Sequence, residues 1–352
     1  MTRDTPPSLH EIADTAAELA ELRTTADDIL AQAWTTERAR VLLDGPDPAF
    51  DENVWKTVVD MGWPDVLVAE TRGGGGGTLR ELCVLAEASG AAALPVPLAA
   101  AAAANWCEQR SSGELTLVLD EVGTLVGDEV SGTWPIVPFG GVADRLLVLA
   151  HRDGEPVLGV VEVGDRGVQR APEQPLDRGP SATISLERTP LRPIATGAGA
   201  ATRHHEAVSR SRLATVAELV GIASSANDAA VDYAKMRKTF GQPIGARQAI
   251  KHRLVDQRCV IEIARALVNR AADACELQHP DAEPLVSLAV FWAIDSLRRV
   301  PEGATQVFGG IAYTWEHQAH VHLRRAATRV TMLGSRSAHR AVVSDWLRTR
   351  SR

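Results

Sequence analysis

The chain has little cysteine and nothing arranged to use it as a ligand set. Four cysteines, Cys83, Cys107, Cys259 and Cys275, are spread over 352 residues. None forms a C-x-x-C pair, and no histidine spacing completes a zinc set, so a zinc module and a disulfide-built scaffold are both excluded. Isolated thiols in a reducing compartment are the expectation. Excess positive charge is also lacking: the formal charge is -8, which argues against a general nucleic-acid or anionic-membrane binder. No apolar run is long enough to cross a bilayer without helix breakers. The apolar stretch from Ala91 to Trp106 is interrupted by Pro95 and Pro97, and the first seven residues have no apolar secretion core. A cytoplasmic location follows as an expectation. No internal repeat is evident.

Hydrophobic residues make up 45% and charged residues 23%, as in a soluble globular protein with room for a large core. Residues up to about 110 read as helical. Leu9 to Leu43 is rich in Ala, Leu and Glu. Pro46 and Pro48 mark a loop, and Phe50-Asp-Glu-Asn-Val-Trp55 reopens a helix with early acidic residues that suit the positive N-terminal dipole. Met61-Gly-Trp-Pro64 stops it. Five consecutive glycines, Gly73 to Gly77, precede a helix over Leu79–Ser89. They lack the Lys-Ser/Thr of a P-loop and the strand–helix frame of a dinucleotide fold, so a flexible turn is favoured over a nucleotide loop.

From Leu115 the period shortens. Leu115–Leu119, Ser131–Pro138, Val142–Leu149, Val157–Val161 and Ala182–Leu186 are short runs bounded by Gly, Pro and Asp, which predicts β-strands. The Pro- and Gly-bearing stretch Arg192–Ala201 reads as a linker. Helices return after His204. Leu213, Val216, Ala217 and Val220 form one stripe, and Ile250, Leu254, Ile261 and Ala264 form another; long helices joined by short corners predict a bundle. Further helices are expected over Leu285–Leu297 and through His320–Arg329.

The corner between the two long helices concentrates chemistry. Gly241, Pro243 and Gly245 break the helical period, and Arg237, Lys238, Thr239 and Phe240 crowd the break. Arginine presents a fork of donors suited to phosphate oxygens, and a hydroxyl adds another. The residues alone equally allow a solvated basic helix end with a buried Phe.

Tyr233-Ala-Lys-Met-Arg-Lys-Thr-Phe-Gly-Gln-Pro-Ile-Gly-Ala-Arg-Gln248 resembles the corresponding stretch of the acyl-CoA dehydrogenase family. The block Gln306-Val-Phe-Gly-Gly-Ile-Ala-Tyr-Thr-Trp-Glu-His317 agrees with it, in the right order and at a compatible separation. The resemblance runs from about Phe50 to the end. It implies a mainly α fold with a small inserted β-domain: an N-terminal helical domain over 1–112, a central β-barrel or sandwich over 113–195 and a C-terminal four-helix bundle over 203–352.

The resemblance also implies FAD bound between protomers and an α,β-dehydrogenation in which a carboxylate removes the α-proton. Arg237, Thr239 and Phe240 match residues that reach the FAD of a neighbouring protomer. Ile244 and Gln248 match further contacts. Gln306, Gly309 and Gly310 match the block over the adenosine-diphosphate half. No metal is implied.

The family's catalytic base has no match. At the commoner glutamate position, a fixed distance after the Gly-Gly block, stands Leu333; at the other, immediately before Arg212, stands Ser211. No acidic residue lies between Glu316 and Asp345. Glu206 and Glu218 flank Ser211 at five and seven residues, and seven residues is about 10 Å of helical rise. The family's flavin-ring loop finds only a loose equivalent in Leu117–Thr124, where Asp120 replaces a threonine. The parts lent to a neighbour's FAD are kept and those used in the chain's own pocket are lost. The expectation is a non-catalytic subunit that completes the FAD site of a catalytic partner in an α2β2 assembly, similar to actinobacterial enzymes acting on steroid side-chain CoA esters. The acyl-CoA would sit mainly in the partner's pocket, with electron-transfer flavoprotein as acceptor. The competing readings are a self-sufficient homo-oligomeric flavoenzyme with another base, and a scaffold without flavin chemistry.

Overall fold

A computed structural model describes residues 9–111 and 113–350, with side chains from residue 15 onward. The first seven residues, read above for a secretion signal, lie outside the described residues. Two compact units emerge. One contains the chain up to Val41, Leu79–Leu94 and Leu213 to the end; the other contains Leu42–Thr78 and Pro95–Arg212.

The first unit is helical. It holds α1 (Leu9–Ala33), most of α2 (Thr36–Asp44), α4 (Leu79–Ala91), the later part of α6 (Ala198–Met236), α7 (Gln248–Glu276), α8 (Ala282–Trp292), α9 (Arg299–Phe308), α10 (Ala319–Thr331) and α11 (Arg336–Arg350). The stripe Leu213, Val216, Ala217 and Val220 is buried, as its spacing requires. The helix expected over Leu285–Leu297 is α8 followed by one π-helical turn, Ala293–Leu297. Two glycines let α4 and α6 approach closely. A Cβ on Gly90 would lie 2.0 Å from the Glu218 carbonyl oxygen, and one on Gly221 would lie 1.9 Å from that of Glu87. Beside this crossing the Glu87 carboxylate accepts from Arg23 at 2.8 Å and Arg265 at 3.0 Å. The Glu276 carboxylate accepts the first amide of α4, that of Leu79, at 3.1 Å.

The second unit contains α3 (Glu52–Asp60), α5 (Leu98–Glu108) and one seven-stranded sheet. Asp51 caps α3 by accepting from the amides of Asn53 and Val54, and Val54 and Val58 turn inward. The sheet comprises β1 (Thr116–Val126), β2 (Glu129–Val137), β3 (Arg145–Arg152), β4 (Glu155–Glu162), β5 (Val168–Pro172), β6 (Ala182–Pro190) and β7 (Arg192–Thr196). Its order is β5-β6-β2-β1-β3-β4-β7. Only β1 and β3 run parallel. The stretch read as a linker is therefore structured. Arg192–Thr196 pairs with β4 as an edge strand, and Ala198 already begins α6.

The five glycines form a hydrogen-bonded turn. The amides of Gly74, Gly75, Gly76 and Gly77 donate to the carbonyls of Ala69, Asp65, Val68 and Val66. A Cβ on Gly74 would meet the Val68 carbonyl oxygen at 2.3 Å. Small residues are needed for this fold-back, and those amides are already engaged within the chain.

Candidate functional site

The corner is a tight hairpin. After α6 ends at Met236, β8 (Lys238–Thr239) pairs antiparallel with β9 (Gln242–Pro243), and the Ile244 amide donates to the Arg237 carbonyl at 2.8 Å. Phe240 and Gly241 make the turn with φ of +52° and +79°, the signs of a type I′ turn. Glycine adopts that conformation freely; a bulky aromatic does so against steric resistance. The Phe240 side chain gains no burial in exchange: the residue is 95% exposed. That excludes the buried-Phe reading of the bare sequence. The Arg247 guanidinium lies 5.5 Å from the Phe240 ring centroid, a cation–π contact that holds the ring upright.

Arg237, Lys238 and Gln248 are exposed, and Thr239 and Ile244 are half-buried. Among the described residues no acidic side chain pairs with Arg237 or Lys238. Their charge is therefore available to a ligand or partner.

The second block is tied to the corner by a shared core. Ala226, Ala230, Ala234 and Leu254 from the long helices cluster with Ala304, Val307, Phe308 and Ala312. Tyr233 and Ile244 pack against the same cluster. The Tyr233 and Phe308 rings meet edge to face with centroids 5.3 Å apart, and Phe308 lies 4.5 Å from the His317 ring. Gln306 projects from the last turn of α9 into solvent, and its Nε2 donates to the Tyr313 hydroxyl at 3.2 Å. Gly309 has φ +69° and ψ -143°, a backbone region open essentially to glycine alone. Gly310 is exposed, and nothing lies within 4 Å of where its Cβ would stand. No neighbour within the chain explains its lack of a side chain.

Three residues at this site lie within the two motif blocks but were given no role from the sequence. Arg247 stacks on Phe240, Tyr313 accepts from Gln306, and Trp315 is exposed beside Arg324, whose guanidinium lies 4.9 Å from its ring centroid. Arg40 donates to the Trp315 carbonyl at 3.4 Å. Their position inside the two motif blocks was the available clue.

The two glutamate positions have different surroundings. Leu333 is fully buried, and its carbonyl oxygen lies 2.8 Å from His339 Nε2. A carbonyl only accepts, so Nε2 carries the proton. Nδ1 then accepts from the Ser287 hydroxyl at 3.2 Å. Ser211 is half-buried on α6. Glu218 is buried and bound to Arg329 at 2.7 Å, with both side chains almost inaccessible. A carboxylate held this way is neutralised and out of reach as a base. Glu206 lies 3.9 Å from Arg210 on its own helix.

The segment Leu117–Thr124 is strand rather than loop. Its pairing with β3 slips between Val118 and Val122, and Asp120 sits within this bulge, a device that re-aims side chains. Asp120 makes an ion pair with Arg212 at 3.4 Å. Beside it the Leu119 carbonyl accepts from His204 Nε2 at 2.7 Å, and burial lowers the His204 pKa.

No cluster of His, Cys, Asp or Glu among the described residues could hold a metal ion, and no helix among them is long and apolar enough to cross a membrane. The buried thiols are inert: burial pushes Cys83 far up and Cys107 to about 12.

The family model for the acyl-CoA dehydrogenase C-terminal domain matches residues 199–347. An acyl-CoA dehydrogenase of Mycobacterium tuberculosis, IpdE2, is 28% identical over 89% of this chain and 92% of its own length. A solved structure described as a Tcur3481-Tcur3483 steroid ACAD variant aligns with a TM-score of 0.85 and 27% identity, covering 96% of this chain and 99% of that one. The ChsE4-ChsE5 complex of M. tuberculosis shares the fold, with a TM-score of 0.84 at 23% identity over 94% and 96% of the two chains. With both motif blocks joined on one core, and helices, sheet and helices in the family's order, the chain belongs to the acyl-CoA dehydrogenase family.

Proposed function

We propose that this chain is the non-catalytic subunit of a heteromeric acyl-CoA dehydrogenase. It lends Arg237, Thr239, Phe240, Ile244, Gln248, Gln306, Gly309 and Gly310 to an FAD whose ring and base belong to an unlike subunit. The observation that carries the reading is the corner itself. A phenylalanine sits in a strained turn with its ring 95% exposed, beside an arginine without an acidic partner. Neither feature serves this chain's own stability, and both suit an adenine–diphosphate group presented from outside: the ring offers a face and the guanidinium a fork of donors. FAD bound there would supply hydride acceptance during removal of the α- and β-hydrogens of an acyl-CoA thioester. The chain's own residues would neutralise the diphosphate and close its flank.

The absence of a base supports the non-catalytic role. Leu333 and Ser211 cannot take an α-proton unaided, and Glu218 is committed to Arg329. The Asp120 carboxylate, an acceptor only, would oppose the negative charge of a reduced flavin held beside it, to the extent that its Arg212 ion pair leaves charge over. The two-component names of the Tcur3481-Tcur3483 and ChsE4-ChsE5 structures favour an unlike partner, and the steroid ACAD description of the first favours a steroid-derived acyl-CoA. In this reading the acyl-CoA sits mainly in the partner's pocket, and electron-transfer flavoprotein is the acceptor.

The test pairs two substitutions in the assembled complex. Arg237→Ala removes a charge-assisted hydrogen bond of about 1.5–3 kcal/mol, so flavin retention on dilution should weaken ten- to hundredfold. Ser211→Ala should leave turnover unchanged. Loss of turnover on Ser211→Ala in a folded complex would favour the self-sufficient enzyme instead.

A further inference from the structure

We propose that Arg247 is a further cofactor residue, a second cation that the corner presents to the FAD diphosphate; the role rests on the flavin reading and falls to a residue that the family resemblance leaves unassigned. From Arg237 to Arg253 the sequence holds five cations, Arg237, Lys238, Arg247, Lys251 and Arg253, and no Asp or Glu, in a chain whose formal charge is -8. All five are exposed, and among the described residues none has an acidic partner.

Ile244 joins two of these cations. Its amide donates to the Arg237 carbonyl at 2.8 Å, and its carbonyl accepts from the Arg247 amide at 3.1 Å. The Arg247 carbonyl in turn accepts from the amides of Ile250 and Lys251, each at 3.1 Å, in the first turn of α7. Both arginines therefore hang from one hydrogen-bonded frame, and their side chains start from fixed points. Arg247 is also the N-cap of α7, extended at φ -83° and ψ 131° and with no side-chain bond to the helix. Its guanidinium is spent neither on capping nor on an ion pair. It lies against the Phe240 ring instead. A ring engages a guanidinium through its face and leaves the N–H groups at its edge free. Those donors suit phosphate oxygens. Each phosphate of a dinucleotide's diphosphate carries one negative charge; Arg237 matches one and Arg247 the other. The Phe240 ring keeps its exposed side for the adenine.

The complex assembled with its unlike subunit gives the test, with bound flavin measured after dilution at a series of salt concentrations. Arg247→Gln should weaken FAD retention about tenfold, the loss of one charge-assisted hydrogen bond, and should flatten the dependence of retention on salt, because less charge remains to be screened. Arg247→Lys keeps the charge but not the fork, so it should keep the salt dependence while losing part of the retention. A residue that only props the ring would leave the salt dependence unmoved. Unaltered retention in Arg247→Gln, or weaker retention with the parent's salt dependence, would overturn the proposal. Arg237→Ala in the same assay separates the two claims: if it releases flavin and Arg247→Gln does not, the flavin reading stands and only the role of Arg247 falls; if neither releases flavin, both fall.

Discussion

At the scale of single residues, the positions that carry the account are those whose chemistry their own surroundings fail to use. Phe240 and Arg237 face outward, Phe240 with the Arg247 guanidinium beside its ring and Arg237 without an acidic partner, whereas Glu218 and Arg329 are consumed by each other. Removing one member of that buried pair strands the other. Arg329→Ala should therefore lower stability by about 3–5 kcal/mol in urea titration, whereas Glu218→Gln with Arg329→Met should lose less. His322 is also buried, and burial with the nearby Arg325 pushes its pKa down to about 4. The folded state thus favours the neutral ring. This contribution to stability is complete above the unfolded value of 6.5 and is lost as pH falls toward 4. The slope is at most about 1.4 kcal/mol per pH unit. Urea midpoints measured from pH 7 to 4 should decline along this window, and His322→Leu should flatten part of the decline. An equal slope in the variant would remove His322 as a cause.

At the scale of elements, the hairpin between α6 and α7 trades backbone ease for display. Phe240→Gly relieves the left-handed strain of an aromatic, about 1 kcal/mol or more. The lone variant should therefore melt no lower than the parent while its complex retains less FAD; a fall in melting temperature would mean the ring supports the fold. This corner was legible in the sequence because its signals are local: Gly241, Pro243 and Gly245 interrupt two clear apolar stripes. The inner strands were legible for the same reason, since buried runs such as Leu146–Ala150 read as strand. Strands β5 and β7 were not. Both lie at the edges of the sheet, both contain proline, and their residues are mostly exposed, so no apolar alternation marks them. The union of the corner with the Gln306 block was also hidden. It depends on Tyr233 meeting Phe308 across 75 residues of chain, and no local pattern encodes such a contact.

At the scale of the whole molecule, the chain keeps the family's order of helices, sheet and helices, while five of its candidate cofactor residues, Arg237, Phe240, Gln248, Gln306 and Gly310, are exposed. The resemblance named the residues, and the coordinates add their exposure. Groups that no internal contact explains are what a shared site requires of the subunit that lends them. The most direct test is a visible absorption spectrum of the purified chain, alone and together with an unlike acyl-CoA dehydrogenase subunit, with protein and flavin both quantified. The account predicts a colourless lone chain and a yellow complex holding one flavin per pair of unlike subunits. A yellow lone chain, turning over acyl-CoA with one flavin per protomer, would contradict it.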